Sequence, residues 1–284
     1  MFFGRKGLDY GNGVKGELSG LFSYLDFTLD QYARLCRTVK ESKYQVLTVR
    51  EFIERDSQEG HLIIMRHDVD EDARNALDMA RVEHSLGIKA TYYFRVRKRV
   101  NVPAIIDEIA SYQHEIGYHY ETLDKTRGPL KEALILFAEE LAMLRERYDI
   151  KTACMHGNPL TKYDNKKIWE ICELAHFNLI GEPYLSLDYN QFLYFSDSGR
   201  TWLRDKNKVK DRVSSTNSPS VQVKHTGDLI ELIDDGRHEK ICILTHPERW
   251  SKNLVNYLTY YLIDLTYNTG KKLLSISKYA GMGG

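Results

Sequence analysis

His61-Leu62-Ile63-Ile64-Met65-Arg66-His67-Asp68-Val69-Asp70 changes character halfway along. Residues 62–65 are wholly apolar, the pattern of a strand buried on both faces, and ionisable residues take over from Arg66. Residues 72–86 then place Ala73, Ala76, Leu77 and Ala80 on one helical stripe that Gly87 stops. Working outward, the alternation recurs: strand 90–96, helix 103–112 opened by Pro103, strand 115–120. A long helix from Pro129 spaces Leu130, Leu134, Phe137, Leu141 and Leu144 by four and three. Strand 152–156, helix 165–174 and strand 177–187 continue the rhythm. Towards the N-terminus, Thr28 is placed to cap a helix through Tyr32, Leu35, Cys36 and Val39, and 44–49 reads as extended. Residues 190–223 break the pattern, with 191–195 and 201–203 as paired strands and 214–220 as a polar loop. Helix 227–235, strand 240–245 and an amphipathic helix 251–265 resume it. Repeated strand–helix units mean an α/β fold with a parallel sheet.

The 284 residues carry 40 Lys and Arg against 40 Asp and Glu, with 42% hydrophobic and 28% charged residues. That balance offers no overall electrostatic case for nucleic acid or for an acidic membrane. No stretch approaches ~18 apolar residues, so no membrane span is expected. The first residues, Met1-Phe2-Phe3-Gly4-Arg5-Lys6, have no apolar run after their charges, so no signal peptide is expected either. Cys36, Cys154, Cys172 and Cys242 lie far apart and read as reduced thiols, neither a disulfide frame nor a zinc cluster. A cytoplasmic protein is the expectation. Residues 1–24 are Gly-rich and irregular. The expected division is 1–60 as an N-terminal arm and helical cap, and 61–284 as the strand–helix body.

Parallel barrels carry their chemistry at the C-terminal ends of the strands. Polar residues gather where the apolar runs end: Arg66-His67-Asp68-Val69-Asp70, His114-Glu115-Ile116-Gly117-Tyr118-His119-Tyr120-Glu121, Cys154-Met155-His156-Gly157-Asn158-Pro159 and Leu244-Thr245-His246-Pro247. Asp68 and Asp70 are two apart on an extended segment and so share a side. Two such carboxylates repel unless a cation sits beside them. A divalent metal with mixed carboxylate and imidazole ligands is one solution, with His119 and His156 as the imidazoles. Arg66 or Arg74 as salt-bridge partners is the other.

These motifs resemble the polysaccharide deacetylase family, of the NodB-homology type, over roughly residues 61–250. The resemblance rests on His67-Asp68-Val69-Asp70, on His114-Glu115-Ile116-Gly117-Tyr118-His119 and on Leu244-Thr245-His246. It implies an irregular seven-stranded (β/α) barrel, with Asp68 as catalytic base, Asp70 and His119 as metal ligands and His246 as general acid. The family's second metal-binding histidine falls at Leu123 here. His156 is the first candidate to replace it and Glu121 the second. Where the family has an Arg and a Pro on a strand end, this chain has residues 155–159, and Asp197 with Trp202 loosely matches a further Asp–Trp motif.

The implied activity is metal-dependent removal of an acetyl or other acyl group from an N-acylated sugar or sugar precursor. Zn is the default ion, with Co, Mn or Ni also suitable. Arg66 or Arg200 would orient Asp68 or steady an oxyanion, and Asp197 joins the catalytic group. Among many tyrosines near the motifs, Tyr120 is a candidate for sugar binding, together with Arg200 and Trp202. No phosphate-cradling G-x-x-x-x-G-K loop occurs. Two alternatives are a metal-poor amidohydrolase acting on another amide, such as a cyclic ureide, and a non-catalytic carbohydrate-binding relative.

Overall fold

The structure is a computed structural model that describes residues 25–158, 160–203, 213 and 221–280. The expected arm 1–24, the polar loop 214–220 and Pro159 lie outside the described residues. In chain order the elements are α1 (Leu29–Glu41), β1 (Gln45–Leu47), α2 (Val49–Ile53), β2 (Leu62–Val69), α3 (Ala73–Ser85), β3 (Thr91–Phe94) and α4 (Pro103–Ser111). Then come β4 (Glu115–Tyr120), α5 (Thr122–Lys125), α6 (Leu130–Arg145), β5 (Ala153–Met155), α7 (Pro183–Ser186), β6 (Leu193–Ser196), α8 (Thr226–Asp235), β7 (Lys240–Thr245) and α9 (Leu254–Ala280).

Seven strands form one curled, all-parallel sheet, six of them in the order β5-β4-β3-β2-β7-β6 and the seventh, β1, paired with β2. β2 lies at its heart. One of its edges pairs with β7 from Leu62↔Lys240 to His67↔Thr245. The other edge is shared: β1 takes residues 62–64 and β3 takes residues 66–69. All eight β2 residues are buried, as its apolar run requires. Leu62 and Ile64 turn into the curl with Tyr93, Cys154, Tyr194, Cys242 and Leu244. Ile63, Met65 and Val69 turn out to the helices, where α1 adds Tyr32, Leu35, Cys36 and Val39. Thr28 caps α1 by accepting the Gln31 N–H at 3.3 Å. The segment expected as a cap thus contributes one strand to the sheet and one helix to the main core.

The expected irregular seven-stranded barrel is only half formed. Among the described residues no ladder joins β5 to β6, and a single bridge, Thr152↔Gly181, reaches across. The expected strand 177–187 is the missing closure. Asn178 adopts φ 50°, and Pro183 begins the short α7, whose Tyr184 and Leu185 N–H groups the Glu182 carboxylate caps. A proline at the first helical position and a left-handed residue both break a strand. The expected helix 165–174 is two 3₁₀ turns, Asn165–Glu170 and Leu174–Phe177, the first capped by Asp164. The expected pairing of 191–195 with 201–203 also gives way. β6 pairs with β7 instead, and positive φ at Gly199 and Arg200 turns the chain so that Trp202 enters the core.

Candidate metal centre

The period of two that sends Leu62 and Ile64 into the curl carries Arg66, Asp68 and Asp70 to the same side at the C-terminal end of β2. His67 faces the other way. Its Nε2 meets Glu83 Oε1 at 2.9 Å and its Nδ1 meets Thr245 Oγ1 at 2.6 Å, in a buried network that Tyr32 and Tyr92 complete. His114 and Glu115, read with the strand-end group, sit at the opposite pole. His114 precedes β4 and Glu115 begins it; there His114 Nδ1 accepts the Ala90 N–H at 3.1 Å and Glu115 accepts from Thr91 and the Arg50 N–H.

His119 ends β4 facing inward. Its Nδ1 lies 3.0 Å from the Cys154 carbonyl, which can only accept, so Nδ1 carries a proton and Nε2 is the ring nitrogen turned to the carboxylates. Nε2 lies 3.2 Å from Asp70 Oδ1 and 3.8 Å from Asp68 Oδ2. His156, just past β5, brings Nε2 to 3.7 Å from the same Asp70 oxygen. Its Nδ1 stands 3.4 Å from Glu121 Oε2, and the Arg95 guanidinium holds that carboxylate from the other side. His156 therefore meets Asp70 directly, whereas Glu121 stands behind it. Asp68, His119 and Cys154, all buried, form a second grouping whose ligand atoms lie within 4.8 Å of one another.

Electrostatics bind the cluster together. Burial alone would raise Asp70, but His156, His119 and Arg95 hold it well below the usual carboxylate range. Burial would lower His119, and Asp68 and Asp70 outweigh it so that its pKa rises. Glu121 is driven down to about 2 because His156 and Arg95 overcome its desolvation. Even so, Asp68 Oδ1 and Asp70 Oδ1 are buried without a hydrogen bond. Buried carboxylate oxygens without a hydrogen bond, with an imidazole nitrogen turned toward them, fit a divalent cation, which would take the place of the proton on that ring.

Across the cavity stands a dyad. His246 follows β7, and its Nδ1 lies 2.6 Å from Asp197 Oδ1. The other Asp197 oxygen accepts the His246 backbone N–H and the Trp250 indole N–H, both at 2.9 Å. The tryptophan that partners Asp197 is therefore Trp250, not Trp202. Burial and Arg249 press the His246 pKa down, but Asp197 prevails and raises it to about 9.

The cavity between these groups measures about 320 Å³, and Asp68, Asp70, His119, His156 and His246 all line it. Arg66 is wholly buried and donates from Nη2 to Asp68 Oδ2 at 3.3 Å and to the Tyr184 hydroxyl at 2.9 Å. Arg200 is elsewhere engaged, with Nε on Asp264 Oδ2 at 2.9 Å. Trp202 donates to Thr226 Oγ1 and packs against Phe27 and Trp250, and the buried Tyr120 hydroxyl accepts the Trp169 indole N–H at 2.8 Å. Arg200, Trp202 and Tyr120 are not among the cavity's lining residues.

Arg95, Glu248 and Arg249 are among the lining residues that escaped the sequence reading. Arg95 directly follows β3, a strand end of the same kind as the others, and donates to the Asp70 carbonyl at 3.0 Å. Glu248 and Arg249 follow His246 within three residues. Burial and the nearby Asp70 charge push the Glu248 carboxyl up to about 8. Comparison with family models, curated proteins and solved structures gives no match to this chain. The curled parallel sheet and its metal-capable cluster are compatible with the deacetylase resemblance without being specific to it.

Proposed function

We propose that the protein is a metal-dependent hydrolase that removes an acyl group, acetyl in the first instance, from the amide nitrogen of a sugar or sugar precursor. The observation that carries this reading is the convergence of a carboxylate–imidazole cluster and a separate His–Asp dyad on one cavity. Asp70, His119 and His156 would hold the ion, which supplies Lewis acidity toward the scissile carbonyl when bound. Asp68, its Oδ2 fixed by Arg66 and its Oδ1 unpartnered, takes a proton from the attacking water. His246 has Nδ1 committed to Asp197, so Nε2 is the position from which a proton passes to the departing amine nitrogen. The C–N bond breaks, leaving a carboxylate and an amine.

The Asp68/His119/Cys154 grouping supports a second arrangement, in which Asp68 is a ligand and not the base. Asp68→Asn separates the two. If Asp68 is the base, the variant keeps a stoichiometric ion while turnover falls by about 10²–10⁴-fold, the usual contribution of an acid–base group. Loss of metal together with activity, and the same loss in Cys154→Ser, would establish the second arrangement. The function itself is tested by metal analysis after loading with Zn²⁺, Co²⁺, Mn²⁺ or Ni²⁺ and by amine release from a panel of N-acetyl sugars. Less than one ion per chain, or no amine from any sugar, refutes it.

A further inference from the structure

Five acids line the cavity, and four of them have a basic partner. Asp68 takes Arg66 at 3.3 Å, Asp70 lies 3.2 Å from His119 Nε2, Glu71 lies 3.3 Å from Arg97, and Asp264 takes Arg200 at 2.9 Å. Glu248 is the fifth, and it has no ion-pair partner among the described residues. Arg249, next to it in the chain, turns to Asp197 and Asp264 instead, at 3.4 and 3.5 Å. Glu248 is only 7% exposed, and its Oε2 is buried without a hydrogen bond. The backbone puts it there. Pro247 opens a single 3₁₀ turn, Pro247–Arg249, at the end of β7, and that turn carries Glu248 into the cavity wall two residues beyond the His246 ring.

We propose that Glu248 determines specificity, its Oε2 binding one hydroxyl group of the sugar that occupies the cavity. The inference rests on the reading above for the class of ligand, but not for the hydrolysis that follows binding.

The surrounding charges decide what kind of group Glu248 takes. Arg249 and His246 are its positive neighbours and disfavour a second cation, while Asp70 is its negative neighbour and disfavours an anion. A neutral polar group remains. An acyl carbonyl can only accept a hydrogen bond, whereas a hydroxyl both donates and accepts and so pairs with a carboxyl oxygen. The amide N–H is the other donor of such a substrate, but its nitrogen is the one that His246 serves. A buried acceptor left without a donor is costly, so a sugar lacking that hydroxyl is rejected more strongly than the loss of one contact implies.

The test measures binding. Ligand-observed NMR on the Zn²⁺-loaded full chain gives dissociation constants within minutes, whether or not hydrolysis follows. The probes are N-acetylglucosamine and its 1-, 3-, 4- and 6-deoxy analogues. In the wild type one analogue should bind about 10–100-fold more weakly than the parent, the range expected of a hydrogen bond to a carboxylate. In Glu248→Ala the parent should weaken to a similar degree, and the penalty for that analogue should shrink below about twofold, the signature of two partners in one contact. Glu248→Gln, whose amide still accepts and donates, should restore most of the discrimination, which a residue needed only for folding would not do. All three proteins should hold equal Zn²⁺. The proposal is overturned if no analogue loses more than about twofold in the wild type, if the loss persists in Glu248→Ala, or if Glu248→Ala sheds its ion and so proves to be a ligand. Failure of the parent sugar to bind removes the sugar reading and this inference together. Coupled binding without amine release leaves Glu248 in its role and removes the hydrolase reading alone.

Discussion

His246 owes its charge chiefly to Asp197, with Asp70 adding to it. Burial and Arg249 both favour the neutral ring, yet the Asp197 carboxylate lifts the pKa to about 9 from an ordinary 6.5. The folded protein thus holds this proton more tightly than the unfolded chain. The resulting stabilisation, on the order of 3 kcal/mol, is complete below the unfolded value and is lost as pH rises through the folded one. Melting temperature should therefore decline between about pH 6.5 and 9 and decline less in His246→Gln; parallel curves would show that another group titrates. The alkaline limb of kcat/KM should sit near pH 9 and vanish in the same variant, because the ring must be protonated to serve the leaving amine. Metal retention tests the other half of the cavity. His156→Ala should abolish it, whereas Glu121→Ala, acting through the His156 ring, should weaken affinity by about 10–100-fold; the reverse order would make Glu121 the ligand. Asp68, Asp70, His119, His156 and His246 could be read from sequence because each ends an apolar strand run. Trp202 could not be placed that way: five residues after Asp197, only the turn at Gly199 and Arg200 decides that it enters the core.

Among the elements, β4 shows what a single missing atom permits. A Cβ built on Gly117 would overlap the Tyr93 ring, which lies across the strand and whose hydroxyl meets Thr152 Oγ1 at 3.0 Å. Gly117→Ala should cost about 1–3 kcal/mol by overpacking, seen as a lowered melting temperature. A loss within about 0.5 kcal/mol would mean that Tyr93 moves aside freely. Strands such as β4 and β7 were legible to the residue, since a short run between turn signals leaves few other readings. The stretch 165–187 was not. Its apolar residues suit a helix, a strand or a packed loop equally, and local contacts choose: the Asp164 and Glu182 caps, left-handed Asn178 and the Trp169 indole on Tyr120. The pole to which His114 belongs was legible, because a residue that precedes strand 115–120 in a parallel sheet sits at the N-terminal end, away from the strand-end group.

For the molecule as a whole, the half-closed sheet makes protection from hydrogen exchange uneven. β5 and β6 each have one ladder partner, while β2, β3 and β7 are paired on both sides. Amides of β5 and β6 should exchange at least an order of magnitude faster than those of β2, and uniform protection would show that the segment between them closes the barrel in solution. The sequence made the parallel α/β architecture legible but not this gap, since closure depends on whether the two end strands meet. The pairing of β2 with β7 also bears on how the chain is made. His67 and Thr245, partners in the ladder, are 178 residues apart. At about 5–20 residues per second on the ribosome, β7 is synthesised some ten to thirty-five seconds after β2. Throughout that interval β3 and β1 can cover one edge of β2 while the other stays open, an apolar strand awaiting its neighbour. A nascent chain halted before Lys240 is therefore not a smaller version of the protein but a sticky intermediate, and its safe passage depends on whatever shields that edge until translation ends.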